Sequence, residues 1–360
     1  MILLLSYDVR RHGGMERLGL QVLASLRRQG WSVRLLTPRR LGPWPLGRWL
    51  GRAWFLLGLL LWLPRCESVL SMHALLLRPL RWLDWLPQPP QRLCWLHGIE
   101  VWGAALATVQ TDLNHCQRLI ASSRFTRERV QERLRPNGPP VAVVHPMADL
   151  VDAASQPHPM PAGFVLLTVA RMDAGERYKG HRLVLEALAR LRQRRQLSDR
   201  LCWRVIGEGD DRPCLEARSR ELGLQPWVRF LGKLSDGAVE REFRRCSLLL
   251  MPSSYGIAAD GRAMGEGFGI VYLEAAQAGR AAIACRQGGQ TDLILDGDTG
   301  WLIDSDPDAL ADLLLRLADD RAMLQSAGER ARQRARDQFS VGCFDRALAA
   351  ALTESSREAA

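Results

Sequence analysis

Lysine is nearly absent from this 360-residue chain: Lys179 and Lys233 stand against 47 arginines. In so arginine-biased a sequence a lysine set directly before a glycine, as Lys179 is before Gly180, marks a compact point charge suited to phosphate. CxxC pairs are missing too, the eight cysteines being scattered, which excludes a disulfide frame and a zinc site and suits a reducing cytoplasm. GxGxxG is missing, which excludes the dinucleotide fingerprint. No apolar run is long enough to span a bilayer: the uncharged stretch Ala53 to Leu63 is 11 residues, where ~20 are needed. At the amino terminus, Ile2 to Leu5 is short and follows no positive region, so a first strand is expected there and no signal peptide.

What is present describes a folded protein of two α/β domains, with 47% hydrophobic and 24% charged residues over a length sufficient for both. The charge is uneven. Residues 1–150 hold 20 Arg and nine acids, a net +11, and the remaining 210 a net −1. A basic half implies nucleic acid or an anionic membrane. Nine of the twelve Trp precede residue 103, clustered with Leu and Arg. They are not spaced as stacking platforms among polar residues, so a bilayer interface is favoured over RNA.

Taken in order, Ile2 to Ser6 is a strand, and His12-Gly13-Gly14 opens a helix running through Leu26 before a strand from Ser32 to Leu36: a doubly wound unit. Arg39 to Leu63 interleaves Trp44, Trp49, Trp54 and Trp62 with Arg39, Arg40, Arg48 and Arg52. It reads either as an interfacial anchor on an anionic membrane or as a buried helix. His73 and His97 follow the strands Val69–Met72 and Arg92–Leu96, outside whose carboxyl ends ligands bind in open parallel sheets; His73 is expected only to pack. The expected boundaries are residues 1–151 for the first domain, a linker at 152–163, a second domain at 164–340, and a last helix and tail at 341–360. The second domain repeats the layout: strand Phe164–Val169, loop RMDAGERYKG, helix His181–Gln193 and strand Leu201–Ile206.

One stretch organises the rest, MGEGFGIVYLEAAQAG from Met264 to Gly279. Gly265, Gly267 and Gly269 let backbone approach a ligand, and Ile270 to Ala278 reads as a helix with free N–H groups at its start, an anion site. Glu266 and Glu274, eight apart, lie roughly 80° apart around a helix axis. They share a ligand only if Glu266 is in the turn and Glu274 in the helix; a cap acid and a solvated face is the other reading. Carboxylates beside a phosphate site suit a ligand carrying hydroxyls as well as phosphate.

The run EGFGIVYLEAAQAG, followed by AAIAC, GGQTDLI and DGDTGWLID, resembles the signature of retaining glycosyltransferase family 4, glycosyl transferases group 1. The resemblance implies the GT-B fold, two Rossmann-like doubly wound domains facing a central cleft with the last helix crossing back to the first domain. It implies that Gly13 and Gly14 approach the donor phosphates, that Arg171 and Lys179 hold the diphosphate, and that Gly207 and Glu208 form a base-binding loop. Phe268, Gly269, Ile270 and Glu274 would complete the donor site, with Glu266 and the HGIE histidine, His97, facing the transferred sugar. Arg280-Ala281 departs from the family, where a residue and Pro are common. Asp304-Ser305-Asp306 is a stray DxD, and no metal or cofactor is assigned.

The function implied is transfer of a hexosyl unit from GDP-mannose or a UDP-sugar to a lipid-linked or glycan acceptor in cell-envelope polysaccharide, lipopolysaccharide or glycolipid synthesis. The enzyme would be cytoplasmic and peripheral on the inner face of the membrane. A sugar-nucleotide epimerase or hydrolase, an inactive membrane scaffold, and a nucleic-acid binder remain as alternatives; the intact Arg171, Lys179, Glu266 and Glu274 set argues against the scaffold.

Overall fold

The structure, a computed structural model, describes residues 1–7, 14–38, 45–83, 88–148, 150–151 and 158–353. The chain divides into two compact units, one of Met1–Met147, Ala259–Ala263 and Val341–Ala360, the other of Ala148–Ala258 and Met264–Ser340.

The first unit is built on six parallel strands: β1 (Ile2–Leu5), β2 (Val33–Leu36), β3 (Ser68–Ser71), β4 (Gln91–Leu96), β5 (Arg118–Ala121) and β6 (Val141–Val143). Their order across the sheet is β2-β1-β3-β4-β5-β6. Ile2 pairs with Val33 on one side and Ser68 on the other. β1 and β5 are buried at every position, as expected of strands covered on both faces. Helices α1 (Gly14–Arg28), α2 (Pro45–Trp62), α3 (Ala104–Asn114) and α4 (Arg124–Gln131) lie between them. Ser123 starts α4 by accepting from the Thr126 N–H at 3.1 Å.

Helix α2 settles the ambiguity of Arg39–Leu63 in part. Phe55 and Leu59, one turn apart, and Leu63 just beyond the helix are buried, whereas Trp49, Leu50, Trp54, Leu56, Leu57, Leu60 and Leu61 are 47–69% exposed. The segment is thus a helix packed along a narrow stripe that shows a broad apolar face to solvent. No helix among the described residues is long and apolar enough to cross a membrane. Arg39, Arg40 and Trp44 lie outside the described residues.

In the second unit β7 (Phe164–Val169), β8 (Leu201–Ile206), β9 (Val228–Gly232), β10 (Leu248–Leu250), β13 (Ala282–Cys285) and β14 (Gly300–Ile303) form a parallel sheet in the order β14-β13-β10-β7-β8-β9. The short β11 (Gly256–Ile257) and β12 (Ala263–Met264) form a two-stranded ribbon. The helices are α5 (His181–Gln193), α6 (Arg212–Glu221), α7 (Asp236–Arg245), α8 (Ile270–Gln277), α9 (Pro307–Asp319) and α10 (Arg321–Gln338). On α5, Val184, Leu185, Leu188 and Leu191 recur at helical spacing, and they enter one core with Trp203 and Leu314. The helical stretch after β14 is two helices, because Asp320 breaks it and caps α10 by accepting from the Met323 N–H at 2.8 Å. Asp306 of the DxD is likewise a cap, accepting from the Asp308 N–H that opens α9.

The last helix, α11 (Val341–Thr353), packs Phe344, Leu348 and Leu352 against Leu18, Val22 and Leu26 of α1. Asp345 accepts from Ser25 Oγ at 2.5 Å and Arg28 Nη2 at 2.8 Å. Arg28 holds the Asp345 carboxyl below the usual carboxylate range.

Candidate functional site

Strand order locates the candidate sites. In a doubly wound sheet ligands bind beyond the carboxyl ends of the two strands from which successive strands run outward in opposite directions. Those strands are β7 and β10 in the second unit, and β1 and β3 in the first.

The loop after β7 runs to Lys179, and the loop after β10 leads to Glu266. Their side chains meet: Lys179 Nζ is 2.7 Å from Glu266 Oε2, with 13% and 14% of the two side chains exposed. Burial works against the Lys179 charge, but Glu266 and Tyr178 outweigh it and raise the pKa above the ordinary lysine value. The Tyr178 ring lies 5.1 Å from Nζ, and burial pushes its hydroxyl up to about 12. Lys179 is therefore a charged amine held in a nearly dry setting by one carboxylate.

Backbone packing holds this pair in place. Gly180 turns the chain into α5 at φ +85, and a Cβ there would lie 2.5 Å from the Pro252 carbonyl oxygen, so only glycine lets the two loops touch. The Ser254 N–H donates to the Tyr178 carbonyl at 2.8 Å. Across the sheet, the Gly289 N–H donates to the Glu266 carbonyl at 2.7 Å. Fully buried Gln290 donates through Nε2 to the carbonyls of Ser253, Cys285 and Gln287. Glu266 sits in the turn and Glu274 in α8, whose first residue is Ile270 after the left-handed Gly269. Glu274 is 6% exposed, so the solvated-face reading does not apply to it.

Several other expected donor residues sit differently. The Phe268 ring is buried against Phe339 at 6.1 Å between centroids, because an apolar ring belongs to the core; only its backbone is left to meet a ligand. The Arg171 side chain is 70% exposed and is bonded to Glu176, with Asp173 at 3.7 Å. It is therefore an outer cation, apart from the buried pair. Gly207 donates to the Gly232 carbonyl at 2.9 Å, and the Glu208 carbonyl accepts from the Met172 N–H, its side chain exposed. Gly14 is the first residue of α1 and exposed, whereas Gly13 lies outside the described residues.

His181 and Asp211 were not anticipated. His181, 4% exposed at the start of α5, has its pKa lowered to about 4, first by burial and then by Lys179. Asp211 is buried between Arg177 at 2.7 Å and Arg182 at 3.0 Å, and these guanidiniums outweigh burial and keep its pKa low. The signal available was the density of charge around Lys179 in a loop of ten residues.

In the first unit Tyr7 follows β1, His73 follows β3 and His97 follows β4. The Tyr7 and His73 rings meet edge-on at 5.1 Å, and His73 and His97 are 6.5 Å apart. His97 Nε2 donates to the Met72 carbonyl at 2.6 Å, and the His97 N–H donates to Glu100 Oε1 at 2.5 Å. That tautomer leaves Nδ1 as an acceptor for a hydroxyl. His73 is buried and Nδ1 accepts from the Leu75 N–H, so it packs, and burial lowers its pKa. Tyr7, whose hydroxyl pKa burial raises, was missed, although its place directly after the first strand was a usable signal.

Among the described residues no group of three or more His, Cys, Asp or Glu is placed to hold a metal ion.

Residues 159–334 match the family described as "Glycosyl transferases group 1". The chain is 33% identical over 150 residues to a D-inositol 3-phosphate glycosyltransferase of Corynebacterium urealyticum, 40% of this chain and 33% of that protein. It is 28% identical over 268 residues to a GDP-mannose-dependent alpha-(1-6)-phosphatidylinositol monomannoside mannosyltransferase of Mycolicibacterium smegmatis, 68% of this chain and 65% of that protein. The chain thus spans from a third to under two thirds of the length of these curated relatives. Among solved structures, sucrose-phosphate synthase of Thermosynechococcus elongatus superposes with a TM-score of 0.79 at 18% identity, covering 100% of this chain and 99% of that one. HepE of Anabaena, solved with UDP and glucose, gives 0.72 at 19% identity over 98% and 99%. Two parallel six-stranded sheets flanked by helices are the GT-B fold.

Proposed function

We propose that this chain, whose residues 159–334 match the glycosyl transferases group 1 family, moves a hexosyl unit from a nucleoside-diphosphate sugar to a lipid-linked or glycan acceptor, retaining anomeric configuration without a metal. The observation that carries this reading is the Lys179–Glu266 pair at the β7/β10 switch point, beside the start of α8. The names of two similar proteins support the donor class: one is GDP-mannose-dependent, the other was solved with UDP and glucose.

Departure of the nucleotide puts negative charge on its outer phosphate. Lys179, preorganised and nearly dry, meets that charge as it develops, with exposed Arg171 as an outer partner and the N–H groups near Gly269 as further donors. Glu266 then shares Lys179 with the phosphate and turns its second oxygen to the hydroxyls of the transferred sugar. Glu274 accepts from the ribose. A charged diphosphate leaves without a general acid, which makes a two-carboxylate hydrolase scheme unnecessary and favours same-face attack within an ion pair. In the first unit, His97 Nδ1 accepts from a sugar hydroxyl.

A thermal-shift screen of the full chain against UDP-, GDP- and ADP-sugars tests the donor reading. One base should raise the melting temperature; a chain indifferent to all three is no glycosyltransferase of this kind. Donor consumed without any acceptor would instead favour the hydrolase or epimerase reading.

The acceptor is lipid-linked on this reading because of α2. Its exposed Trp49, Trp54, Leu56, Leu57, Leu60 and Leu61 form an apolar face, Arg52 lies 5.6 Å over the Trp49 ring and Arg34 4.4 Å over Trp62. Aromatic rings beside cations suit the headgroup layer of an anionic membrane, the inner face of the cytoplasmic membrane in this reading. The full chain should sediment with vesicles containing anionic lipid and be released by replacing Trp49, Trp54, Leu57 and Leu60 with Ser or Gln. Failure to sediment at low salt makes the acceptor soluble.

A further inference from the structure

The second unit holds a cavity of about 460 Å³ at the other end of α8 from Glu266. It lies between the chain at His158–Met160, the residues following α8, and one face of α10. Gly269 and Gly279 bracket a helix of eight residues, so the two ends are roughly 12 Å apart along its axis.

The charge lining this cavity is lopsided. Among the described residues that line it, Arg280, Arg332 and Arg336 are the cations and Glu329 the one carboxylate, and Glu329 already accepts from Gln325 Nε2 at 2.9 Å. Arg280 is 2% exposed. Its partners are neutral: Nη2 donates to the carbonyls of His158, Pro159 and Arg244, Nε donates to that of Phe243, and Nη1 is 3.1 Å from the Met160 sulfur. Phe243 and Arg244 are in the last turn of α7, whose unpaired carbonyls carry a partial negative charge, so the guanidinium is offset in part. A thioether is a weak acceptor, which leaves Nη1 poorly used. Burial lowers the Arg280 pKa, and no carboxylate among the described residues is bonded to it.

Arg332 and Arg336 are one turn apart on α10 and so present two guanidiniums on one side. Arg332 is 7% exposed and forms the wall, while Arg336 is on the open rim. Paired guanidinium forks match the oxygens of phosphate, and a cavity of this volume takes a small organic molecule better than a bare ion.

We infer that this cavity is a second anion site, separate from the donor site, for a small phosphate-bearing molecule of about sugar-phosphate size. The site does not depend on the transfer reading, since none of its residues is in the Lys179–Glu266 machinery.

Inorganic pyrophosphate titrated calorimetrically into the full chain should fill two sites. Arg336→Gln, a change at an exposed position, should weaken one of them about tenfold, the loss of one charged hydrogen bond, and leave the other alone. Lys179→Ala should do the reverse. Arg332→Gln should act as Arg336→Gln does, with circular dichroism checking its fold. If no pyrophosphate affinity responds to Arg336→Gln, Arg280 merely caps α7 and the cavity is not a site. Loss of the Lys179-dependent site alone would count against the donor reading and leave this inference standing.

Discussion

The two units share an architecture and differ in where they keep their charge. Residues 1–150 carry +11, and the described residues that directly follow β1, β3 and β4 include a tyrosine and two histidines. Burial raises the Tyr7 pKa and lowers that of His73, and both shifts favour the neutral form. The rest of the chain is close to neutral in sum, yet at its switch point a lysine and a glutamate meet at 2.7 Å with little exposure. Net charge reports on the surface and what it attracts, whereas binding chemistry depends on which few charges the fold removes from water.

The largest expected effect tests that contrast in the second unit. Lys179→Ala should cost roughly 3–4 kcal/mol of transition-state stabilisation. Unlike removal of a surface lysine, it should also destabilise the fold by about 3 kcal/mol, because it strands the Glu266 carboxylate. Adding Glu266→Gln should restore much of the stability but not the transfer. Melting curves and turnover of the single and double variants check this; if the single variant melts like the parent, the pair is not a buried one.

A second effect, of similar size in stability but confined to acid, involves His181. Its folded pKa is about 4, against an ordinary value near 6.5. Between those pH values the unfolded chain binds a proton that the folded chain refuses, so stability falls as pH drops through that window, by roughly 3 kcal/mol in total. His181→Gln should remove this slope while leaving stability at pH 8 within about 1 kcal/mol. Parallel pH–stability curves for variant and parent would show that His181 protonates in the fold as freely as in water.

The smallest effect belongs to the aromatic cluster of the first unit. His97→Gln removes one hydrogen-bond acceptor and should slow transfer by about 1.5 kcal/mol, without changing nucleotide affinity. Weaker nucleotide binding in that variant would move His97 from the acceptor side to the donor side.

Local signals in the chain were enough for much of the fold. Phe164–Val169, Leu201–Ile206 and His181–Gln193 are observed with the bounds their patterns imply, since a buried strand is a short apolar run and a packed helix repeats every 3.6 residues. The glycine turn before Ile270, with Glu266 in it and Glu274 beyond, was equally legible, as was the oddity of Lys179 among so many arginines. Phe268 misled because a ring within a ligand motif reads like a contact, while the core claims it.

What the sequence determined by itself was therefore the two-unit α/β layout, the glycine turn before α8 and the identity of the residues worth testing. That Lys179 and Glu266, 87 residues apart, form one ion pair was decided by tertiary structure alone. So were the exposure of one face of α2, the Tyr7–His73–His97 cluster, and the cavity over Arg280. Each depends on which strands become neighbours and which surfaces lose water. Periodicity reports on a single element and its own faces, and it carries no information on pairings made across a sheet.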